Sequence, residues 1–230
     1  MRTTTNSENL SILYEDNHII VVNKRPGDLV QSDKTKDAPL GEYLKQYLKI
    51  KYKKPGNVFL GVVHRLDRPT SGLVIFSKTS KALSRLNKML AKREIEKIYW
   101  AVVEKKPLKS EETLINYLKK NEKNNKSYVY TNEISGSKKA ILHYKLIKNL
   151  KTYSLLEIQL QTGRHHQIRA QLANIKSPIK GDLKYGYKRS NKDGSIHLHA
   201  RKIKFIHPVS EKLVELEAPL PDDIIWRNCK

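Results

Sequence analysis

The chain has 230 residues, enough for one large domain or two small ones, with 38% hydrophobic residues and a formal net charge of +22 from 45 Lys and Arg against 23 Asp and Glu. No apolar run approaches the roughly 18 residues a membrane helix needs. The polar start, residues 1–9, has no signal-peptide core, and the lone cysteine, Cys229, excludes an intrachain disulfide and a cysteine-cluster metal site. These features point to a cytosolic protein with a polyanionic partner, because clustered Lys and Arg bind phosphates through counterion release.

Taken in order, residues 1–10 read as a disordered tail and 11–230 as a single domain. Residues 11–14 and 19–23 are β-like, joined by a turn at Glu15-Asp16-Asn17. Pro26-Gly27 breaks the chain, and residues 29–37 read as a loop. Apolar residues at 40, 43, 44, 47 and 48 predict a helix over 40–50. Residues 58–63 and 73–76 read as short buried strands. A helix capped by Thr79 or Ser80 runs to Lys92, with Leu83, Leu86, Met89 and Leu90 on one face.

Residues 95–104 read as a strand. The lysine-rich stretch 105–127 reads as an exposed excursion with a short helix near 114–118, a candidate for RNA contacts. Residues 140–150 and 153–160 form an antiparallel pair about a turn at 149–152. A helix is expected over 165–174, with Ile168 and Leu172 at i, i+4, and a loop over 178–186. Ile196, Leu198 and Ala200 alternate with His197, His199 and Arg201, so a strand there shows two histidines on one face. Residues 213–216 are the final strand. The pattern predicts an α+β fold with a largely antiparallel mixed sheet and flanking helices.

Candidate chemistry centres on His64-Arg65-Leu66-Asp67-Arg68-Pro69-Thr70-Ser71-Gly72, which falls between two apolar runs. A carboxylate between two arginines is either a staple that stiffens the turn or a reactive acid held ionised by charge and hydrogen bonds. Arginines are few, and Arg65, Arg68, Arg164 and Arg169 fall in two compact segments, whereas lysines are spread over the polar faces. Arginine suits planar, bidentate contacts. His165-His166 and His197-x-His199 make poor zinc sites: adjacent helical histidines point roughly 100° apart, and no third ligand has matching spacing. No glycine loop matches a nucleotide fingerprint, and no G-x-S-x-G elbow is present. A lone carboxylate with arginine and aromatic support remains, suited to a nucleophile or a proton acceptor.

The 64–72 stretch resembles the signature of the RluA-type pseudouridine synthases. Val21-Val22-Asn23-Lys24-Arg25-Pro26-Gly27 is similar to that family's first motif, and Lys97-Ile98-Tyr99-Trp100-Ala101-Val102-Val103 to its tyrosine motif. Leu160-Gln161-Thr162-Gly163-Arg164-His165-His166-Gln167-Ile168-Arg169 is similar to its basic motif. Pro178-Ile179-Lys180-Gly181-Asp182, Tyr185-Gly186 and Leu198-His199-Ala200 complete an ordered series from about residue 11 to 223.

The resemblance implies conversion of uridine in RNA to pseudouridine with no cofactor, and ribosomal or transfer RNA is the expected substrate; no metal is expected from the ligand spacing above. It gives Asp67 the place of the essential aspartate, acting as nucleophile or as base. Tyr99 takes the place of the tyrosine that stacks on the target base, and Arg164 that of the arginine paired with the aspartate. Arg65 matches an arginine that helps fill the gap left by the extruded base. Arg68 and His166 are expected on the RNA, and Leu198 lining the pocket.

Arg25, Gln31-Ser32, Gln171 and Ser177 depart from residues frequent in the family, and bear on which RNA is used. The ten or so leading residues leave no room for the small RNA-binding domain that many relatives carry, so recognition is expected to come from the catalytic domain itself; a cytoplasmic monomer is expected. The alternatives are a non-catalytic RNA-binding or assembly factor on the same scaffold, and another base-acting enzyme such as a hydrolase.

Overall fold

The computed structural model describes residues 5–32 and 37–229. In chain order the strands are β1 (Ile12–Glu15), β2 (Ile19–Lys24), β3 (Gly61–Val62), β4 (Ser71–Ser77), β5 (Glu96–Val103), β6 (Glu111–Asn121), β7 (Lys126–Tyr130), β8 (Lys138–Asn149), β9 (Ser154–Leu160), β10 (Leu198–Ile206) and β11 (Leu213–Glu217). The helices are α1 (Leu40–Lys51), α2 (Ser80–Lys92), α3 (Gln167–Asn174) and α4 (Ile224–Arg227), with a 3-10 turn at Leu183–Tyr185. The fold is α+β with a largely antiparallel sheet, as the patterning predicts. Two compact units form, one from the residues up to Ile95 with Ala200–Pro221, the other from Glu96–His199 with the segment from Asp222 on.

In the first unit β2 runs antiparallel between β1 and β4. β10 lies beside β4, and β11 pairs antiparallel with β10. Ile19, Ile20, Val21 and Val22 are all at most 1% exposed. A strand buried on both faces needs such a continuous apolar run. Ile20 and Val22 join Val74, Phe76 and the α1 residues Leu40, Leu44 and Leu48. Ile19 and Val21 join Leu73, Ile75, Phe205 and the α2 residues Ala82 and Leu86. The Thr79 hydroxyl accepts from Ala82 N at 3.2 Å and starts α2 as expected; such a cap contributes about 1 kcal/mol.

Glu15 ties β1 to α1 and to the residue after β4. Its side chain is 7% exposed and accepts from Lys51 and Lys78 at 2.8 Å each, and from the Tyr47 and Tyr52 hydroxyls at 3.0 and 2.8 Å. Burial alone would raise its pKa; the hydrogen bonds outweigh that and hold it at about 2.

In the second unit the order is β5-β9-β8-β6-β7, every pairing antiparallel. Residues directly opposite share a face. The register Tyr99↔Ile158↔Tyr144, with Leu142↔Leu114 and Leu118↔Val129, therefore sets one common face. α3 covers this face through Ala170, which packs with Leu118, Ala140 and Tyr185. Arg169 of α3 makes a two-pronged pair with Asp182, Nε to Oδ2 at 2.7 Å and Nη2 to Oδ1 at 2.8 Å, both side chains at most 5% exposed.

Several elements differ from the sequence reading. Residues 105–127 contain no helix; 111–121 is strand β6, paired with β8 on one side and β7 on the other. Leu114 and Leu118, spaced by four, satisfy both a helical face and the period of a strand. The strand expected over 58–63 is paired only at Gly61–Val62, because β10 takes the rest of that edge of β4. The helix expected from His165 starts at Gln167, since His166 is left-handed at φ 52. Residues 1–4 of the expected tail and 33–36 of the expected loop lie outside the described residues. Within residues 5–10, Thr5 is buried and donates to Asp28 at 2.8 Å, and Asn6 and Asn9 close a local turn.

Candidate active site

The turn that carries Asp67 is fixed through its main chain. Asp67 is half-buried between β3 and β4. Its carbonyl accepts from Thr70 N at 3.0 Å and closes the turn. His64 Nε2 accepts from Ile75 N at 3.2 Å, which pins the start of the turn to β4. The Arg68 carbonyl accepts from Gly27 N at 2.5 Å and from Lys24 Nζ at 3.2 Å.

Lys24 is the residue that sequence reasoning passed over. It is 1% exposed, and its ammonium also donates to the Arg25 and Asp28 carbonyls at 2.9 Å each. A buried cation is tolerated where carbonyls replace its water. Lys24 thus joins the 25–28 turn to the 67–70 turn. The available signal was a lysine closing a strand that opens with the apolar run Ile19-Ile20-Val21-Val22, shortly before Pro26-Gly27.

The arginines beside Asp67 reach outward. Arg65 is exposed and donates to Gln31 Oε1 at 3.0 Å. Arg68 pairs with Asp37 at 2.5 Å, with both side chains well solvated. Gly72, at φ +111, is the second residue of β4 and lies where a Cβ would collide with the main chain of Ala200. Glycine is required there by both the conformation and the close approach.

The remaining expected site residues belong to the second unit. Tyr99 projects from β5 onto the face that α3 covers and is 6% exposed. Lys97 lies two residues earlier on the same face, and a Cβ placed on Gly163 would sit 3.9 Å from its ammonium. Burial lowers the Lys97 pKa. Sequence reasoning quoted Lys97 in a motif but gave it no role.

Arg164 is exposed on the turn after β9, where its Nε donates to the Lys139 carbonyl at 2.9 Å. Gln167 braces that turn, accepting from Arg164 N at 3.0 Å and from Thr162 Oγ1 at 2.8 Å. His165 and His166 precede α3 and stack on each other at 3.8 Å, so the 100° helical splay expected for them does not arise. His165 Nδ1 is 2.9 Å from Ser127 Oγ, and His166 Nδ1 is 3.0 Å from Tyr185 Oη. Arg169, grouped with Arg164 in the sequence, serves Asp182 instead.

Leu198 opens β10 and is 4% exposed. Its neighbours His197 and His199 share a face, as the alternation predicts, with ring centroids 5.3 and 5.9 Å from Trp226. His197 Nδ1 lies 3.0 Å from Asn191 Nδ2, and its Nε2 is 3.1 Å from Asp223. Burial pushes the Asp223 carboxyl up, but His197 and the Trp226 and Ile225 amides outweigh it and lower its pKa. Asp67, Arg65 and Arg68 therefore share one turn of the first unit, and Tyr99, Arg164, His166 and Leu198 lie in the second.

Comparison with known proteins adds an independent line. Residues 18–174 match the family model described as RNA pseudouridylate synthase. An uncharacterised RNA pseudouridine synthase of Bacillus subtilis is 34% identical over 221 residues, covering 94% of this chain and 70% of that protein. Ribosomal large subunit pseudouridine synthase D of Haemophilus influenzae is 34% identical, covering 94% and 69%. Ribosomal large subunit pseudouridine synthase C of Buchnera aphidicola is 32% identical, covering 98% and 72%. Among solved structures, human RNA Pseudouridylate Synthase Domain Containing 4 superposes with a TM-score of 0.76 at 22% identity, over 92% of this chain and 89% of that one, a likeness of fold.

Proposed function

The chain belongs to the RluA-type RNA pseudouridylate synthase family, and on that footing we propose that Asp67 converts a specific uridine of ribosomal or transfer RNA to pseudouridine. The enzyme is an isomerase acting on RNA. Its reaction balances within one nucleotide: the ribose C1′–N1 bond breaks, the uracil turns, and a C1′–C5 bond forms. N1 gains a proton and C5 gives one up.

The observation that carries the assignment is the half-buried Asp67 on a turn whose backbone is clamped by Lys24 and Gly27. A carboxylate must be ionised both to attack C1′ and to take a ribose proton. It must also be held still, because misplacement by about 1 Å can cost about a hundredfold in rate. We assign Tyr99 to stacking on the extruded base and to the final C5 proton, and Arg164 to the charge of the aspartate.

Arg65 fills the gap the base leaves, Arg68 and His166 contact the RNA, and Leu198 lines the base pocket. Extrusion costs a few kcal/mol in a duplex and less in a loop, so unstacked uridines are the cheaper targets. None of these roles calls on a cofactor. No described helix is long and apolar enough to cross a membrane. The reading is of a monomeric enzyme in the cytoplasm, where its RNA is.

The test is Asp67→Asn and Asp67→Ala, assayed by pseudouridine mapping of cellular RNA and by turnover on the identified RNA. Both variants are expected to lose pseudouridine formation by at least about a thousandfold, the scale at which losing a nucleophile or base acts, while binding RNA as the parent does. Turnover at the parental rate in either variant would refute the assignment of Asp67, whereas a parent that forms no pseudouridine on any RNA would leave the protein as an RNA-binding factor.

A further inference from the structure

The sheet of the second unit has a second face, opposite the one that carries Tyr99 and α3. The register places Tyr117 directly across from Tyr130 on β7 and Lys139 on β8, and Lys119 across from Tyr128. These residues alternate with the inward-facing Leu118, Val129 and Ala140, so they project together on the other side. Tyr128 is 41% exposed, Lys119 and Lys139 are exposed, and Tyr117 and Tyr130 are half-buried. The Lys126 ammonium lies 5.8 Å from the Tyr128 ring and 5.1 Å from the Tyr185 ring, which belongs to the α3 side. It therefore sits at the rim of the edge strand β7.

Charge on this face is one-sided near the tyrosines. The carboxylates that the register puts on it, Glu96, Glu111 and Glu157, lie within hydrogen-bonding distance of Gln159, His143 and Trp100 at 3.5, 3.0 and 3.2 Å. Glu122, in the turn between β6 and β7, pairs with Lys120 at 2.6 Å.

We propose that the outer face of β6, β7 and β8 is a second RNA-binding surface, where bases of single-stranded RNA stack on Tyr128, Tyr130 and Tyr117 while Lys119 and Lys139 take the phosphates. Tyrosines two apart on a strand stand about 6.6 Å apart, which lets successive unstacked bases each find a ring. Aromatic rings on an open sheet, flanked by basic groups, bind single strands with little sequence preference. This proposal rests on the reading of the chain as an RNA enzyme and adds where the flanking RNA lies. RNA held at both Tyr99 and Tyr128 passes around the β7 edge, where Lys126 sits.

The test is fluorescence anisotropy of the full-length protein with a labelled oligouridylate of about ten nucleotides, within the range a single binding surface covers. Tyr128→Ala is expected to weaken binding about tenfold, while Tyr128→Phe, which keeps the ring, stays within about twofold. Lys119→Gln with Lys139→Gln is expected to lower the slope of log affinity against log salt by about 1.4, roughly 0.7 for each phosphate contact on a single strand. With the natural RNA, Tyr128→Ala raises the half-saturating concentration and leaves the single-turnover plateau rate unchanged.

Parental oligouridylate binding by Tyr128→Ala and by the double lysine variant, each with an unchanged melting temperature, overturns the proposal. So does sedimentation showing that the parent self-associates and Tyr128→Ala does not, which makes the face a contact between copies. Failure of the enzyme reading looks different: the parent forms no pseudouridine on any RNA, yet its oligouridylate binding still responds to Tyr128→Ala.

Discussion

The turn bearing Asp67 and the segment bearing Arg164 and His166 are immobilised in different ways. The first is held by its backbone: Lys24 and Gly27 donate to the Arg68 carbonyl, and Asp67 closes its own turn through its carbonyl to Thr70 N. The second is held by side chains: Gln167 bridges Thr162 and Arg164, Tyr185 meets His166, and Arg169 locks onto Asp182. Clamping the main chain fixes the path of a turn without depending on the carboxylate it presents. Clamping by side chains suits a segment that must pack as well as contact a ligand.

The comparison breaks most severely at Arg169. Arg169→Ala leaves Asp182 buried without its counter-charge, and is expected to cost about 3–5 kcal/mol in urea unfolding, with little effect on the rate per folded molecule. Lys24→Met should show the converse emphasis. Three carbonyls lose a donor, for a stability loss of about 2–4 kcal/mol, and the displaced turn should lower single-turnover pseudouridine formation on the order of a hundredfold while RNA affinity holds. A Lys24→Met protein as active per folded molecule as the parent would separate the clamp from the chemistry.

Glu15 sharpens the comparison through pH. Its pKa is about 2 against an ordinary 4.5, so the folded state binds the proton less readily than the unfolded chain. Its stabilisation is therefore complete above about pH 4.5 and fades as the pH falls toward 2. Glu15→Gln is expected to destabilise by about 2–3 kcal/mol at pH 7, with the difference from the parent shrinking through that acidic window in denaturant titrations. The smallest effect belongs to solvated charge. Replacing Lys119, Lys120, Lys123 and Lys126 by Gln should weaken RNA binding and flatten its salt dependence, with no change in the chemical step. Salt-insensitive binding by the parent would remove that electrostatic account.

Much of this was legible in the order of residue types. The apolar run of β2, the helical spacing of α1 and the Thr79 cap of α2 each read correctly because their causes are local. The 114–118 segment misread because a spacing of four fits two geometries, and only pairing with β7 and β8 decides between them. Lys24 was quoted within a motif without a role, since the partner that ties it to the Asp67 turn, the Arg68 carbonyl, lies 44 residues away. His165 and His166 looked like poor neighbours on a helix, and became a stacked pair once the left-handed His166 delayed α3.

By itself the sequence determined which segments alternate, which cap, how much charge the surface carries, and that one aspartate stands in a turn between apolar strands. Those properties depend on residues within a few positions of one another. Tertiary structure alone decided that Lys24 grips the Asp67 turn, that Arg169 belongs to Asp182, and that three tyrosines share the face of a sheet opposite α3. Each depends on register or burial between distant segments, and only the folded chain brings such partners to hydrogen-bonding distance.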